Sequence, residues 1–181
     1  MVVELISVGT EILLGNIVNT NAAYLSERCA ELGLSLYYQG VVGDNAERLR
    51  DMIETAKSRA DIIILGGGLG PTKDDLTKEI AAEAMGFQLV EDEHTKQRIR
   101  DYLETRGFEI TENNWKQALV PEGGIVVDNE NGTAPGIIME KEGKHVILLP
   151  GPPNELKPMF ENQIYPYLNA LEPGTIYSKT V

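Results

Sequence analysis

The sequence has little of what several protein classes require. Of its 181 residues one is cysteine and two are histidine, so an internal disulfide is excluded and no Cys/His cluster has the spacing of a zinc site. No apolar run approaches the ~20 residues that cross a bilayer. The N-terminal segment MVVELISVG lacks the basic region and cleavage site of a signal peptide. These absences predict a cytoplasmic protein without a membrane partner.

Clustered positive charge is also missing. The chain has 28 acidic and 16 basic residues, which give a formal net charge of −12 and a pI near 4.6. Proteins that bind phosphate backbones need a basic face, so the sequence predicts no nucleic-acid partner. A small anionic ligand is compatible with this charge if backbone amides or a metal ion supply the local positive potential.

The chain does contain a regular alternation of strand and helix patterns. Residues 61–65 form a short uninterrupted apolar run, typical of a parallel strand that is buried on both faces. Apolar residues recur at helical spacing after 22 and again after 49, with Asp44 as the expected N-cap of the second helix. The alternation predicts an α/β fold in which a mostly parallel sheet carries helices on both faces. The elements predicted are strands over 2–8, 34–42 and 61–65 and helices over 22–32, 45–56 and 76–85.

The second half changes character. Helices are predicted over 91–106 and 113–119, and short strands over 124–127, 136–139 and 146–149. The tight link 140–144 contains Gly143 and predicts a β-hairpin, so part of the sheet should be antiparallel. A last helix is predicted over 154–171, with Pro158 tolerated near its start and Pro166 kinking or ending it. Residues 1–171 are expected to form one domain, and 172–181 the start of a truncated following segment.

The stretch GGGLGPTKDDLT, residues 66–77, is the strongest functional candidate. Glycines directly after a buried strand let backbone N–H groups approach a ligand, and the N-terminus of the next helix adds positive potential. Asp74 and Asp75 would repel a phosphate unless a divalent cation lay between, and Mg²⁺ is commonly held by one or two carboxylates with substrate phosphate oxygens. The loop therefore predicts a metal-assisted phosphate site. The alternative is structural: Thr72 or Asp74 would only cap the helix, and the glycines would only form a tight turn.

Other polar loops follow predicted strands and belong to the same edge of the sheet. Asp44 and Glu11 each lie just beyond a strand, and NGTAPG at 131–136 could recognise a ribose or a heterocycle. Their structural alternatives are a helix cap, a solvated loop charge and a plain turn. The apolar run 146–149 leads into PGPPNE much as 62–65 leads into the glycine loop, so the two loops are expected to face one crevice.

Five motifs occur in a fixed order along nearly the whole chain. They are GTEILLG at 9–15, NTN at 19–21, GGLGPTKDDLT at 67–77, NGTAPG at 131–136 and LPGPPNE at 149–155. In this order they resemble the N-terminal domain of the CinA (competence/damage-inducible) family. That domain has the molybdopterin-binding fold of the MogA and MoaB type, so the resemblance implies a three-layer α/β/α architecture.

The resemblance also implies an activity. The CinA-type domain is associated with hydrolysis of the pyrophosphate of ADP-ribose to AMP and ribose 5-phosphate, dependent on a divalent cation such as Mg²⁺, Mn²⁺ or Co²⁺. The residues expected to catalyse it are Asp44, Asp74 and Asp75, the last two also as metal ligands. The residues expected to bind the ligand are Gly9, Thr10, Glu11, Asn21, Gly67, Gly68, Gly70, Thr72, Asn131, Gly132, Thr133, Gly151 and Pro152.

Two departures separate this chain from the molybdopterin proteins. Their loop resembles Gly-Gly-Thr-Gly followed by Arg-Asp-Val-Thr, whereas Leu69 here replaces the threonine and Asp74 the arginine. Asp75 and Thr77 match, and a second functional acid carries over to Asp44. Exchanging an arginine for an acid favours a metal-assisted reaction. The alternatives are a molybdopterin-binding or adenylyl-transferring protein and a non-catalytic nucleotide-binding domain.

The resemblance further implies partners. Relatives of this fold self-associate, so a homo-oligomer is expected. Many CinA proteins continue into a C-terminal domain that deamidates nicotinamide mononucleotide, so fusion to such a domain is expected, with no deamidase activity from these residues.

Overall fold

The computed structural model describes residues 1–171. Strands and helices alternate along the first half of the chain. The strands are β1 (Val2–Val8), β2 (Ser35–Val42), β3 (Ile62–Gly66), β4 (Leu89–Glu91), β5 (Leu119–Pro121), β6 (Ile125–Val127), β7 (Gly136–Lys141) and β8 (Lys144–Leu149). The helices are α1 (Thr10–Leu13), α2 (Thr20–Glu31), α3 (Ala46–Lys57), α4 (Thr77–Met85), α5 (Glu93–Thr105), a 3₁₀ helix (Glu112–Ala118), α6 (Pro153–Met159), a π-helical turn (Phe160–Ile164) and α7 (Tyr165–Leu171).

Six strands form the main sheet in the order β2-β1-β3-β8-β7-β6. The pairs β1–β2, β1–β3 and β3–β8 are parallel, whereas β7 pairs antiparallel with both β8 and β6. The predicted mostly parallel sheet and its hairpin are therefore confirmed. Chain order reverses at β1, so β1 and β3 flank a topological switch point.

Two apolar clusters, one on each face of the sheet, make up most of the core. One contains Leu49 and Ile53 of α3 with Ile80 of α4. The other contains Leu25 and Cys29 of α2 with Phe160 of the π turn. The alternating side chains of the central strands supply both clusters, which is why the sequence is apolar without interruption over 62–65 and 146–149. The result is a three-layer α/β/α arrangement.

A smaller unit packs beside these layers. Strands β4 and β5 form a separate antiparallel pair, and Ile99 and Leu103 of α5 pack with Ala118 of the 3₁₀ helix. The sequence analysis did not predict these two strands, because each has three residues and overlaps the end of a predicted helix, at 91 and at 119.

Two local predictions need correction. The N-cap of α3 is Asn45, whose side chain accepts a hydrogen bond from Arg48 N, and not Asp44. The predicted helix 154–171 is divided by the π turn, in which Tyr165 N donates to Phe160 O. Pro166 has no N–H and its ring crowds the carbonyl of residue 162, so the wider turn accommodates it. The prediction for 172–181 lies outside the described residues. Among residues 1–171, none of the helices has the length and apolar character of a transmembrane span.

Candidate functional site

A cavity of about 530 Å³ opens at the carboxyl ends of β1, β3 and β8. Its wall includes Ser7 and Val8 from the end of β1, residues 66–71 after β3 and residues 150–153 after β8. This is the crevice beside the topological switch point, where open α/β sheets bind ligands. Its volume lies within the range of small-molecule sites.

The glycine loop owes its glycines to close packing. Gly67 and Gly68 have φ of 102° and 71°, which favour glycine over residues with a Cβ. A Cβ on Gly67 would overlap the carbonyl oxygen of Val8, and one on Gly68 would overlap Thr77 Oγ1. Both positions therefore require glycine for the turn itself, and the turn brings the loop against the end of β1 at the cavity wall.

Asp75 closes the second half of the loop. Its Oδ2 accepts hydrogen bonds from Thr72 N at 3.1 Å and from Thr72 Oγ1 at 2.6 Å. Both bonds end on the same oxygen, which leaves Oδ1 for a further partner. The capping alternative for Thr72 and Asp74 is wrong, because the N-cap of α4 is Leu76, with no side-chain cap.

The 3₁₀ helix holds this loop from the side. Lys116 Nζ donates to the carbonyl oxygens of Thr72 and Asp75, and Gln117 Nε2 donates to Leu69 O at 3.1 Å. Lys78 in turn donates to Lys116 O at 2.6 Å, and burial lowers its pKa to about 8. Lys116 and Gln117 thus fix the backbone between 69 and 75, and Lys78 holds the 3₁₀ helix that carries them.

Glu155 joins the loops on the opposite side of the cavity. Its Oε1 accepts from Asn129 Nδ2 at 2.7 Å, and a Cβ on Gly132 would overlap the same oxygen. Burial raises the pKa of the Glu155 carboxyl, and the bond from Asn129 only partly opposes that rise. Asn131 Nδ2 donates to Asn154 O at 2.8 Å, so the 131–136 loop is tied to the start of α6.

The charge of the wall is negative. Among the described residues that line the cavity, the ionisable side chains are Glu11, Asp75 and Glu155, with no Lys, Arg or His. Across 1–171, no group of three His, Cys, Asp or Glu side chains is placed to hold a metal. Carboxylate oxygens such as those of the wall are donors of the type that Mg²⁺ accepts.

The residues predicted for the site are distributed between the wall and its surroundings. Asn21 and Gly151, 130 positions apart, are joined by a bond of 2.7 Å from Asn21 Nδ2 to Gly151 O. Thr10 Oγ1 donates to Asp44 Oδ2 at 3.1 Å, away from the wall. The predicted residues on the wall are Glu11, Asn21, Gly67, Gly68, Gly70, Asp75, Thr133, Gly151 and Pro152, and those not on it are Gly9, Thr10, Asp44, Thr72, Asp74, Asn131 and Gly132. Asp74 is exposed.

Gln117 and Glu155 are among the wall residues that sequence reasoning did not assign to the site. Glu155 had a signal, since it ends the quoted motif LPGPPNE after β8. Gln117 had none that a single sequence shows, because it lies on a short helix whose contacts with the loop are 48 positions away in sequence.

Comparison with known proteins gives a consistent assignment. The family model described as "Probable molybdopterin binding domain" matches residues 4–170. A CinA-like protein of Dictyoglomus turgidum is 55% identical over 178 residues, which are 98% of this chain and 43% of that protein. One of Kosmotoga olearia is 54% identical over 181 residues, 100% of this chain and 44% of that protein. The chain thus spans less than half the length of these curated relatives.

Solved structures agree with the fold. The crystal structure of the protein CinA from Thermoplasma acidophilum has a TM-score of 0.80 and 35% identity, and the match covers 88% of this chain and 93% of that one. The Mog protein of Mycobacterium ulcerans has a TM-score of 0.61 at 16% identity, covering 94% and 99% of the two chains, which is a likeness of fold alone. By sequence match over nearly all of its length and by structure, the chain belongs to the molybdopterin-binding-type domain family and, within it, to the CinA proteins.

Proposed function

We propose that this domain hydrolyses the pyrophosphate bond of ADP-ribose or a similar dinucleotide, with a divalent cation. Water attacks one phosphorus, the bond from that phosphorus to the bridging oxygen breaks, and AMP and ribose 5-phosphate leave. The observation that carries the proposal is the acidic wall of the cavity beside the glycine loop, which has no basic side chain among the described lining residues. A diphosphate binds in such a cavity much more tightly when a cation neutralises its charge, because like charges in a partly desolvated site repel strongly.

Asp75 is the proposed centre of the chemistry. Thr72 fixes the Oδ2 atom of Asp75, and Lys116 fixes its backbone carbonyl. The Oδ1 atom is therefore held in one place, where it can bind a cation or orient a water. Such a cation would neutralise the diphosphate and lower the pKa of a bound water. Asp44 and Asp74 are proposed to act from outside the wall, Asp44 through its hydrogen bond with Thr10 next to Glu11.

The ligand contacts of the proposal follow the loops around the cavity. In this proposal the glycine loop and Gly151 contact the phosphates, and Thr133 with Asn21 contacts the sugar or base. Thr72, Asn131 and Gly132 shape the loops from positions off the wall. The family description and the fold also support a second candidate, binding of a pterin. A third, nucleotide binding without turnover, uses the same cavity.

Turnover tests the proposal directly. ADP-ribose is incubated with the chain and Mg²⁺, Mn²⁺ or Co²⁺, or with EDTA, and AMP is quantified. We expect metal-dependent release that falls at least about a hundredfold in Asp75→Asn, because both metal binding and water orientation depend on this carboxylate.

Asp92→Asn is the matched control. Asp92 Oδ2 accepts from Thr95 N at 3.0 Å and Thr95 Oγ1 at 2.6 Å, the same pattern as Asp75, but at the start of α5. Wild-type turnover in Asp75→Asn, or an equal loss in both variants, would remove Asp75 from the mechanism. If no metal supports release of AMP, binding of ADP-ribose and of molybdopterin decides between the other two candidates.

The proposal also covers the setting of the domain. The exposed apolar side chains of Leu13, Leu14, Ile17 and Val18 lie beside the cavity and support self-association. Because the relatives are more than twice as long as this chain, fusion to a deamidase domain and a cytoplasmic location belong to the proposal for the whole protein.

A further inference from the structure

Gln117 has a buried oxygen with no partner. Its side chain is 2% exposed and lies on the cavity wall. Nε2 donates to Leu69 O, whereas Oε1 makes no hydrogen bond within the described part of the chain. The amide cannot be turned over, because Oε1 would then face the carbonyl oxygen of Leu69 and two acceptors would meet.

Asn21 repeats this arrangement elsewhere on the wall. Its Nδ2 donates to Gly151 O at 2.7 Å, and its buried Oδ1 makes no hydrogen bond to residues 1–171. Here too a carbonyl fixes the amide nitrogen and leaves the oxygen as an acceptor. Native proteins leave few buried polar atoms unpaired, so two such atoms on one cavity wall point to a missing donor.

We infer that Gln117 Oε1 and Asn21 Oδ1 accept hydrogen bonds from neutral donors of the bound ligand. The inference rests on the proposed function for the ligand class, a nucleotide. The donors available there are the ribose hydroxyls and the exocyclic amino group of adenine. The two amides therefore recognise hydrogen-bond donors of the ligand, whereas the carboxylates act on its phosphates through the cation.

The test measures binding, which needs no turnover. Dissociation constants are determined with Mg²⁺ for AMP, for its 2′-deoxy and 3′-deoxy forms and for purine riboside 5′-monophosphate, which lacks the amino group. Comparison of ribose 5-phosphate with 2-deoxyribose 5-phosphate tests the hydroxyls of the second ribose of ADP-ribose in the same way. We expect wild type to bind at least one analogue about tenfold more weakly than its parent, because the analogue leaves a buried acceptor unpaired.

Replacing Gln117 shows whether its side chain selects the ligand or only supports the loop. In Gln117→Met, the affinity difference between parent and analogue should fall below about twofold for one donor. The differences for the other donors should persist. Gln163→Met is the control, since Gln163 Nε2 likewise donates to a backbone carbonyl, that of Asp128 at 3.0 Å, away from the cavity. If Gln117→Met does not fold, Asn21→Ala, at the more exposed amide, carries the same comparison.

Each outcome decides the inference. Uniform weakening of all ligands in Gln117→Met would make Gln117 a support of the loop alone. Equal affinities for parent and analogues in wild type, or no nucleotide binding, would also overturn the inference. Donor preference without ADP-ribose hydrolysis would reject the proposed function and leave this inference standing, whereas hydrolysis without preference would reject the inference alone.

Discussion

At the scale of single residues, the glycine loop shows how one sequence signal can have two causes. Four glycines after a strand predict a phosphate loop, yet Gly67 and Gly68 are required because Val8 O and Thr77 Oγ1 occupy the space of a Cβ. Gly70 is similar, since its Cβ would lie 2.6 Å from Asp75 Oδ2. The glycines therefore position the loop and its carboxylate first, and any ligand contact depends on that packing.

A pair of glycine variants measures this packing. Gly68 and Gly107 have nearly the same φ, 71° and 72°, but a Cβ on Gly107 would meet nothing within 4 Å. Gly107→Ala should cost about 1 kcal/mol of unfolding free energy, from left-handed backbone strain alone. Gly68→Ala should cost at least about 2 kcal/mol more because of the added overlap. Urea denaturation of both variants measures the two losses of unfolding free energy. Equal losses would show that the loop adjusts to the added methyl group at little cost.

At the scale of elements, the 3₁₀ helix is the main support of the candidate site. A short helix around Trp115 was predictable from the sequence, but its role was not, because Lys116 and Gln117 reach loop residues more than 40 positions away. The central strand β3 was predictable because burial on both faces makes residues 62–65 continuously apolar. The switch-point rule correctly predicted that the loops after β3 and β8 face one crevice, whereas β4, β5 and the π turn leave no periodic pattern.

Removing the lysine of this helix should loosen the loop without unfolding the protein. In Lys116→Met the carbonyl oxygens of Thr72 and Asp75 lose their donor, so Asp75 is held less firmly and kcat should fall about ten- to hundredfold. Hydrogen exchange of residues 69–77 should accelerate. Lys96→Met is the control, because Lys96 lies over the Trp115 ring at 5.2 Å but makes no bond to the loop. Unchanged exchange at 69–77 would refute the supporting role.

At the scale of the whole molecule, charge governs how an anionic ligand reaches the cavity. The chain carries a net charge of −12, and the described wall adds carboxylates without a basic side chain. Basic proteins attract phosphate ligands and lose affinity as salt screens that attraction. For this protein the salt dependence of affinity should have the opposite sign, because salt screens the repulsion between the acidic wall and an anionic ligand.

The salt dependence of ADP-ribose binding should therefore change with metal. In EDTA, raising the ionic strength from about 0.05 to 0.5 M should tighten binding several-fold, because the screening length falls from over 10 Å to below 5 Å. With Mg²⁺, binding should be tighter at every salt concentration and this increase should disappear, because the cation has already neutralised the diphosphate. Asp75→Asn should bind more tightly than wild type in EDTA, having one repelling charge fewer, and should gain less from Mg²⁺. Isothermal titration calorimetry measures all four conditions. Affinity that falls with salt in EDTA would mean that the nucleotide binds at a basic surface elsewhere on the protein, and the acidic cavity would lose its role as the pyrophosphate site.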